Sequence, residues 1–309
     1  MGPLPVVGLW YPLKKVTMPQ LRKEVLILLF ALLGGTILAS LFTANGLELF
    51  GYREFAMDLP SLLARKEDGV GRALLLSQAL YTVFMFVIPA VFILQRWQKR
   101  SDVAALGQPS WTWVDYLLAI VILPASLPLL NVANEAWIMV SKDWSFMQSA
   151  LASQSQGANM VERMLFLPGP MDRLSGVLVF VFLAALAEEV LFRGVIQRFL
   201  HQGRRMRWAI LGGAIAFTLG HLNFVQWPFL LGAGLILGAL YALSGRLWLS
   251  MVAHVLHNAM TYYWTLEAGP GAYGQLDNPL PWLQTTTFTL AAIAAAYALH
   301  RRTSFSKRS

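Results

Sequence analysis

Long apolar stretches separated by short polar segments run through the whole chain. A helix that crosses a membrane needs about 20 predominantly apolar residues. Within the third stretch, Pro124 and Pro128 predict an interruption of the helix, and the fifth stretch is short. Together the stretches predict an all-α, polytopic integral membrane protein with about eight transmembrane helices, at residues 24–44, 73–95, 114–133, 174–199, 207–222, 225–244, 246–265 and 281–300.

One further segment is helical in pattern but too polar to cross a membrane. It covers residues 145–167 and ends at the break Pro168-Gly169-Pro170. We expect it to form a helix on the membrane surface. No repeat or second domain is evident, so the chain is predicted to be a single membrane domain (1–309), with a functional core at 174–265 and scaffold spans and loops at 1–173 and 266–309.

The composition agrees with a membrane protein and narrows its chemistry. Hydrophobic residues make up 57% of the chain, charged residues only 13%, and the mean hydropathy is +0.55. Soluble domains typically carry about 25% charged residues. The chain has no cysteine, which excludes disulfides, thiolate metal sites and a cysteine nucleophile.

The net charge of +8 comes from basic residues that flank the spans. Most lysines and arginines, such as Lys14, Arg198 and Arg302, fall on the side that holds both termini when the chain crosses eight times. By the positive-inside rule, both termini are predicted to be cytoplasmic. The basic residues are therefore expected to face lipid headgroups and not nucleic acid. We also expect the first apolar stretch, which follows Lys14 and Lys15, to be retained as a span.

Ionisable and amide side chains interrupt the apolar pattern of the fourth, fifth and seventh stretches. Charges inside a bilayer are costly and tend to mark functional sites. With a rise of about 1.5 Å per residue, these groups lie roughly 12 to 21 Å from the cytoplasmic ends of their helices. They are predicted to line a polar cavity near the midplane of the membrane, and they are Glu188, Glu189, Arg193, His221, His254, His257 and Asn258.

Helical spacing divides these groups by role. Glu189 and Arg193 are four residues apart and share a face, so they are expected to form an ion pair. Glu188 is turned by about 100° from Glu189 and is left free for chemistry. His254 and Asn258 also share a face. Phe217 lies one turn before His221 and is expected to wall the same cavity.

The chemistry that these groups favour is hydrolysis of an amide bond. A carboxylate and a histidine can hold and deprotonate water, and a histidine with an asparagine can stabilise an oxyanion. The nucleophile should be water, because cysteine is absent and Ser175 and Ser250 are not spaced with the set. Histidines and carboxylates also bind divalent metals such as zinc. Glu188, His221 and His254 are therefore candidate metal ligands, and metal-activated water stays open beside glutamate-activated water.

Other interpretations of the same polar groups remain open. A proton-coupled transporter also uses ionisable groups inside the membrane, although the pattern has no paired discontinuous segments typical of inverted repeats. A non-catalytic binding or immunity protein would use the cavity only to hold a partner. Glu189 and Arg193 taken alone fit a purely structural ion pair equally well. His257 is expected to be a core histidine bonded to a backbone carbonyl.

Three short motifs in the same order resemble a known family. EEVLFR at 188–193 fits the pattern EExxxR, FTLGH at 217–221 fits FxxxH, and HVLHN at 254–258 fits HxxxN. Their order and their placement on successive apolar helices resemble the CPBP family (CAAX proteases and bacteriocin-processing enzymes, also called Abi). Its eukaryotic members include the CAAX prenyl protease type 2. The resemblance covers 174–265, which is under a third of the chain.

The resemblance implies an intramembrane endopeptidase with eight membrane helices. It implies that Glu188 activates water with help from His221, and that His254 and Asn258 stabilise the oxyanion. The supporting residues would be Glu189, Arg193 and Phe217. The family is commonly labelled as metalloproteases, although a metal-free glutamate mechanism is also argued for it. The implied partners are membrane lipids and a peptide or protein substrate, either membrane-anchored or lipidated.

Overall fold

The computed structural model describes residues 18–52, 59–65, 67–98, 111–201, 205–271 and 282–305. These parts of the chain contain helices and no strand. The helices are α1 (Met18–Glu48), α2 (Leu59–Ala64), α3 (68–98), α4 (Trp113–Ser141), α5 (Ser145–Leu165), α6 (Pro170–Leu200), α7 (Met206–Gly220), α8 (Trp227–Ser244), α9 (Leu247–Ala268) and α10 (Trp282–Phe305).

Each of the eight predicted spans corresponds to one of these helices, which confirms the all-α polytopic fold. In the described part of the chain, five helices are long and apolar enough to cross a membrane. They are Lys23–Glu48 within α1, Asp68–Trp97 within α3, α4, α6 and α8. Two shorter apolar helices are α7 and Thr286–Leu299 within α10. The predicted orientation and the division into core and scaffold remain predictions.

The remaining predicted span, 246–265, corresponds to α9. This helix is 22 residues long but is not among these apolar helices. Its sequence carries His254, His257 and Asn258 near its centre, and these polar side chains lower its hydropathy. Two of them, the histidines, are buried against other helices. The least apolar of the predicted spans is therefore one that carries part of the polar cluster.

The outside of α1 shows the surface of a protein that is solvated by lipid. Leu29, Phe30, Leu33 and Leu41 are all more than half exposed, and an exposed apolar surface of this length is unfavourable in water. Glu24, in contrast, is buried on the same helix and binds Arg96 and the indole of Trp97 at the end of α3. The apolar exterior and the paired interior charge both agree with an integral membrane protein.

The prolines of the third span do not interrupt it. Helix α4 is continuous over 29 residues and includes Pro124 and Pro128. Each proline removes one backbone donor, and membrane helices tolerate this where other groups satisfy the carbonyls. The predicted interruption is therefore wrong.

Helix α7 is shorter than predicted and ends at Gly220, directly before His221. The following Leu222 has a positive φ of 48°, which is rare for a branched side chain. The side-chain oxygen of Asn223 accepts a hydrogen bond from the amide of Gln226 and closes the turn into α8. His221 thus lies at the end of a helix and not within the span 207–222.

Helix α6 lies between α3, α7 and α9, while α4 packs against α8, α9 and α10. The ends of α3 and α6 are joined by Arg72 and Asp172, which form two parallel hydrogen bonds of 2.9 Å. Paired N–H donors of this kind match a carboxylate in geometry as well as charge. The predicted surface helix is present as α5, and it packs over the beginning of α3.

The contact between α3 and α5 generates a stability prediction. A methyl group on Gly71 would collide with the carbonyl oxygen of Arg163 and lie 2.7 Å from the side chain of Leu167. We expect Gly71→Ala to destabilise the protein by about 1–3 kcal/mol through overpacking, measured by thermal unfolding in detergent. Gly34→Ala is the control, because nothing lies within 4 Å of its added methyl group. The packing would be disproved by a Gly71→Ala protein that melts no lower than the control.

Candidate active site

The centre of the site is an ion pair within α6. Glu189 and Arg193 are 2.8 Å apart, as their spacing predicts, and their side chains are 0% and 1% exposed. Nη2 of Arg193 also donates to the carbonyl of Gly234 in α8 at 3.2 Å. The guanidinium lies 4.6 Å from the ring centroid of Phe217, which adds a cation–π contact. A charge that is buried this deeply requires such partners.

His254 bridges the two adjacent glutamates. Its Nδ1 lies 2.9 Å from Oε1 of Glu189, and its Nε2 lies 3.8 Å from Oε2 of Glu188. Because a carboxylate only accepts hydrogen bonds, the proton of Nδ1 points to Glu189. Glu189 therefore orients His254 in addition to neutralising Arg193. The sequence analysis did not predict this contact, since it depends on the packing of α9 against α6.

His221, directly after α7, faces Glu188. Its Nδ1 is 2.8 Å from the carbonyl of Phe217, so Nδ1 is the donor and Nε2 is left as an acceptor in the neutral ring. Nε2 lies 3.7 Å from Oε2 of Glu188. The ring stacks obliquely on Phe217 with centroids 4.5 Å apart. Phe217 thus contacts His221, His254 and Arg193, and the predicted wall residue lies at the centre of the cluster.

Exposure increases across the cluster. Glu189 and Arg193 are fully buried, His254 is 7% exposed, Glu188 15% and His221 29%. The predicted position of this cluster in a cavity near the membrane midplane stays a prediction. A separate cavity of about 580 Å³ lies between α2 and α5 and includes Gln156, Glu162 and Arg163 but none of the cluster. Glu188 and His221 are therefore the groups that a water molecule or a substrate reaches first.

Asn258 and His257 differ in their environments. The side-chain amide of Asn258 donates to the carbonyl of Phe180 at 3.1 Å, which ties α9 to α6 and leaves its second amide hydrogen for another acceptor. His257 is buried and packs on Phe229 with ring centroids 5.7 Å apart. Its Nδ1 has no hydrogen-bond partner within the described residues. The expected bond from His257 to a backbone carbonyl is therefore not made through Nδ1.

The two serines that were considered as nucleophiles lack the contacts that would activate them, although Ser250 lies beside Glu189. The hydroxyl of Ser175 donates to Met171, and that of Ser250 donates to Leu247, each within its own helix. Ser250 is completely buried. Neither hydroxyl is hydrogen-bonded to Glu188, His221 or His254, which is the contact that would activate a serine.

The candidate metal ligands do not form a metal site. Among the residues that the structure describes, no group of three or more histidine, aspartate or glutamate side chains could hold a metal ion. The metalloprotease interpretation therefore gains no support here.

The structure thus defines a polytopic membrane protein whose α6, α7 and α9 bring two glutamates and two histidines together. Residues 170–260 match the family model described as type II CAAX prenyl endopeptidase Rce1-like. This region includes every residue of the cluster. The match falls on the same region as the three motifs and supports the resemblance to the CAAX-protease family there. No curated protein and no solved structure matched the chain.

The buried ion pair leads to a prediction about stability. Arg193→Met leaves Glu189 as an uncompensated buried charge, and we expect a loss of about 3–5 kcal/mol. Glu189→Gln combined with Arg193→Met should be more stable than Arg193→Met alone, because no unpaired charge remains. Equilibrium unfolding in mixed micelles measures both effects.

Arg72→Met is the matched control for this experiment. It also removes an arginine from an ion pair, but the side chain of Arg72 is 45% exposed. Exposed pairs contribute about 0–1 kcal/mol. If the double variant were no more stable than Arg193→Met, the ion pair would not be the reason for the loss.

Proposed function

We propose that this protein is an endopeptidase that hydrolyses a peptide bond within the membrane, with water activated by Glu188. The observation that carries the proposal is the position of one oxygen. Oε2 of Glu188 faces Nε2 of both His221 and His254, at 3.7 and 3.8 Å. These distances are too long for direct hydrogen bonds and suit a bridging water. Glu188 is also the more accessible of the two glutamates.

The first step assigned to this geometry is proton removal from water. His221 accepts one water hydrogen at Nε2, because its Nδ1 proton is held by the carbonyl of Phe217. Glu188 takes the second proton while the water oxygen attacks the carbonyl carbon of the scissile bond. The protonated Glu188 then delivers that proton to the leaving amine nitrogen. Glu188 thus accepts one proton from water and returns the same proton to the leaving amine.

His254 is assigned to the oxyanion of the tetrahedral intermediate. Its Nδ1–H donates to Glu189, so it donates at Nε2 only as the charged imidazolium. Oε1 of Glu189 lies 2.9 Å from Nδ1, so a carboxylate stands beside the positive charge of that ring. The remaining amide hydrogen of Asn258 is the second donor. Charge is then balanced, because two carboxylates face one guanidinium and one imidazolium.

The substrate class follows from the family and from the membrane location. We propose a peptide or protein that is held in the bilayer, and a prenylated C-terminal segment is the first candidate, since the matching family is described as CAAX prenyl endopeptidases. No metal enters the proposed steps. A transporter or a binding protein would use the same cluster without hydrolysis, and the experiment below separates these functions.

The test compares purified wild-type protein with Glu188→Gln on a fluorogenic farnesylated peptide that ends in a CAAX sequence. We expect Glu188→Gln to lower kcat by at least about 1,000-fold, because the base is lost, with an unchanged melting temperature. Glu267→Gln is the control, since this exposed glutamate lies near the end of α9. Terminal-peptide proteomics of membranes that contain either protein extends the test to natural substrates. Equal cleavage by wild type and Glu188→Gln would rule out the proposed catalytic role.

A further inference from the structure

A buried glutamine lies next to the cluster but touches none of its reactive groups. Gln197 is 2% exposed and follows Glu189 by two turns of α6. Its Nε2 donates to the carbonyl of Gly238 in α8 at 2.9 Å. A buried amide is costly unless its hydrogen bonds are satisfied, so an apolar residue would be the simpler choice for this position. We therefore expect the hydrogen bond from Gln197 to Gly238 to have a role beyond filling the interior.

The side chain of Gln197 fits a slot between two glycines on two different helices. A methyl group on Gly238 would lie 2.9 Å from Oε1 of Gln197, and one on Gly213 would lie 3.1 Å from its Cβ. Both distances are too short for an ordinary contact. Gly213 belongs to α7 and precedes His221 by eight residues. Gln197 is thus the point at which α6, α7 and α8 approach one another, two turns of α6 after Glu189.

Gln197 also repeats the contact that Arg193 makes one turn earlier. Arg193 donates to Gly234 and Gln197 donates to Gly238, so two donors four residues apart meet two carbonyls four residues apart. Apolar packing is not directional, and helices in a membrane gain little from it compared with lipid. Two parallel hydrogen bonds, in contrast, fix both the rotation of α6 and its position along α8.

The backbone of α6 makes this rotation important. Residues Val190–Gln197 form a π-helical segment that begins directly after Glu189. Such segments are rare, have i→i+5 hydrogen bonds and occur frequently at functional sites. A change to regular α-helix would rotate Glu188 and Glu189 relative to Arg193. Gln197 is the last residue of the segment and its side chain is bonded to a neighbouring helix.

We propose that Gln197 is a positioning residue, whose bond to Gly238 sets the rotation of α6 and thereby the distance between Glu188 and His221. It acts through the backbone of α6 and contacts no reacting atom. The expected loss of kcat rests on the proposed function. The expected change in the distance between Glu188 and His221 does not depend on any activity. Misplacement of a catalytic group by about 1 Å lowers rates by up to roughly 100-fold.

The kinetic test uses Gln197→Leu and Gln197→Met, which keep the size of the side chain and remove the donor. On the farnesylated peptide we expect kcat per folded molecule to fall roughly 10- to 100-fold with KM unchanged. Ser77→Ala is the matched control: this buried hydroxyl bonds the carbonyl of Thr43, joins α3 to α1 and makes no hydrogen bond to α6, α7 or α8 in the described residues. It should lower the melting temperature slightly and leave kcat unchanged. An unchanged kcat in both Gln197 variants, or a parallel loss in Ser77→Ala, overturns the proposal.

A cross-linking experiment measures the geometry directly. The chain has no cysteine, so Glu188→Cys with His221→Cys places two unique thiols on α6 and α7. A short bifunctional thiosulfonate should join them efficiently in membranes. We expect the yield to fall several-fold when Gln197→Leu is added and to stay unchanged with Ser77→Ala. An equal yield in both backgrounds overturns the proposal. If wild type fails to cleave the peptide, the proposed function fails, and the cross-linking yield alone decides the role of Gln197.

Discussion

The buried contact between Arg193 and Glu189 is the interaction on which the rest of the core depends. Both side chains are almost completely removed from solvent, and neither charge could remain there without the other. The pair also requires neighbours. Arg193 needs the Gly234 carbonyl and the face of Phe217, and Glu189 accepts a hydrogen bond from His254. One ion pair thus requires α7, α8 and α9 to pack closely around α6.

This requirement explains why two adjacent glutamates have different environments. In a helix, neighbouring residues point about 100° apart, so Glu189 faces the interior while Glu188 faces the partly open side. Glu189 is held by the guanidinium and the imidazole, whereas Glu188 has only the two Nε2 atoms opposite it. The first carboxylate stabilises and orients the site. The second is partly exposed, and His254 connects the two.

Helix α8 contributes no side chain to the cluster, but its backbone shapes it. Gly234 allows α7 to approach, because an added methyl group would lie 3.1 Å from the Cα of Ala214. The same residue presents its carbonyl to Arg193. Lipid removes most of the hydrophobic drive for helix association, so small residues and interhelical hydrogen bonds take its place. Glycines that contribute no side chain to the cluster therefore set how closely the surrounding helices approach.

The sequence by itself determined the helical class, the positions of the spans and the residues of the polar cluster, because hydropathy and helical spacing are local properties. The ion pair of Glu189 and Arg193 followed from a separation of four residues within one helix. The tertiary structure alone decided the contact of His254 with Glu189, the end of α7 before His221, and the continuity of α4 through Pro124. Each of these depends on atoms from another helix or on bonds within a turn. No pattern along the chain specifies which carbonyl or carboxylate lies opposite a given side chain.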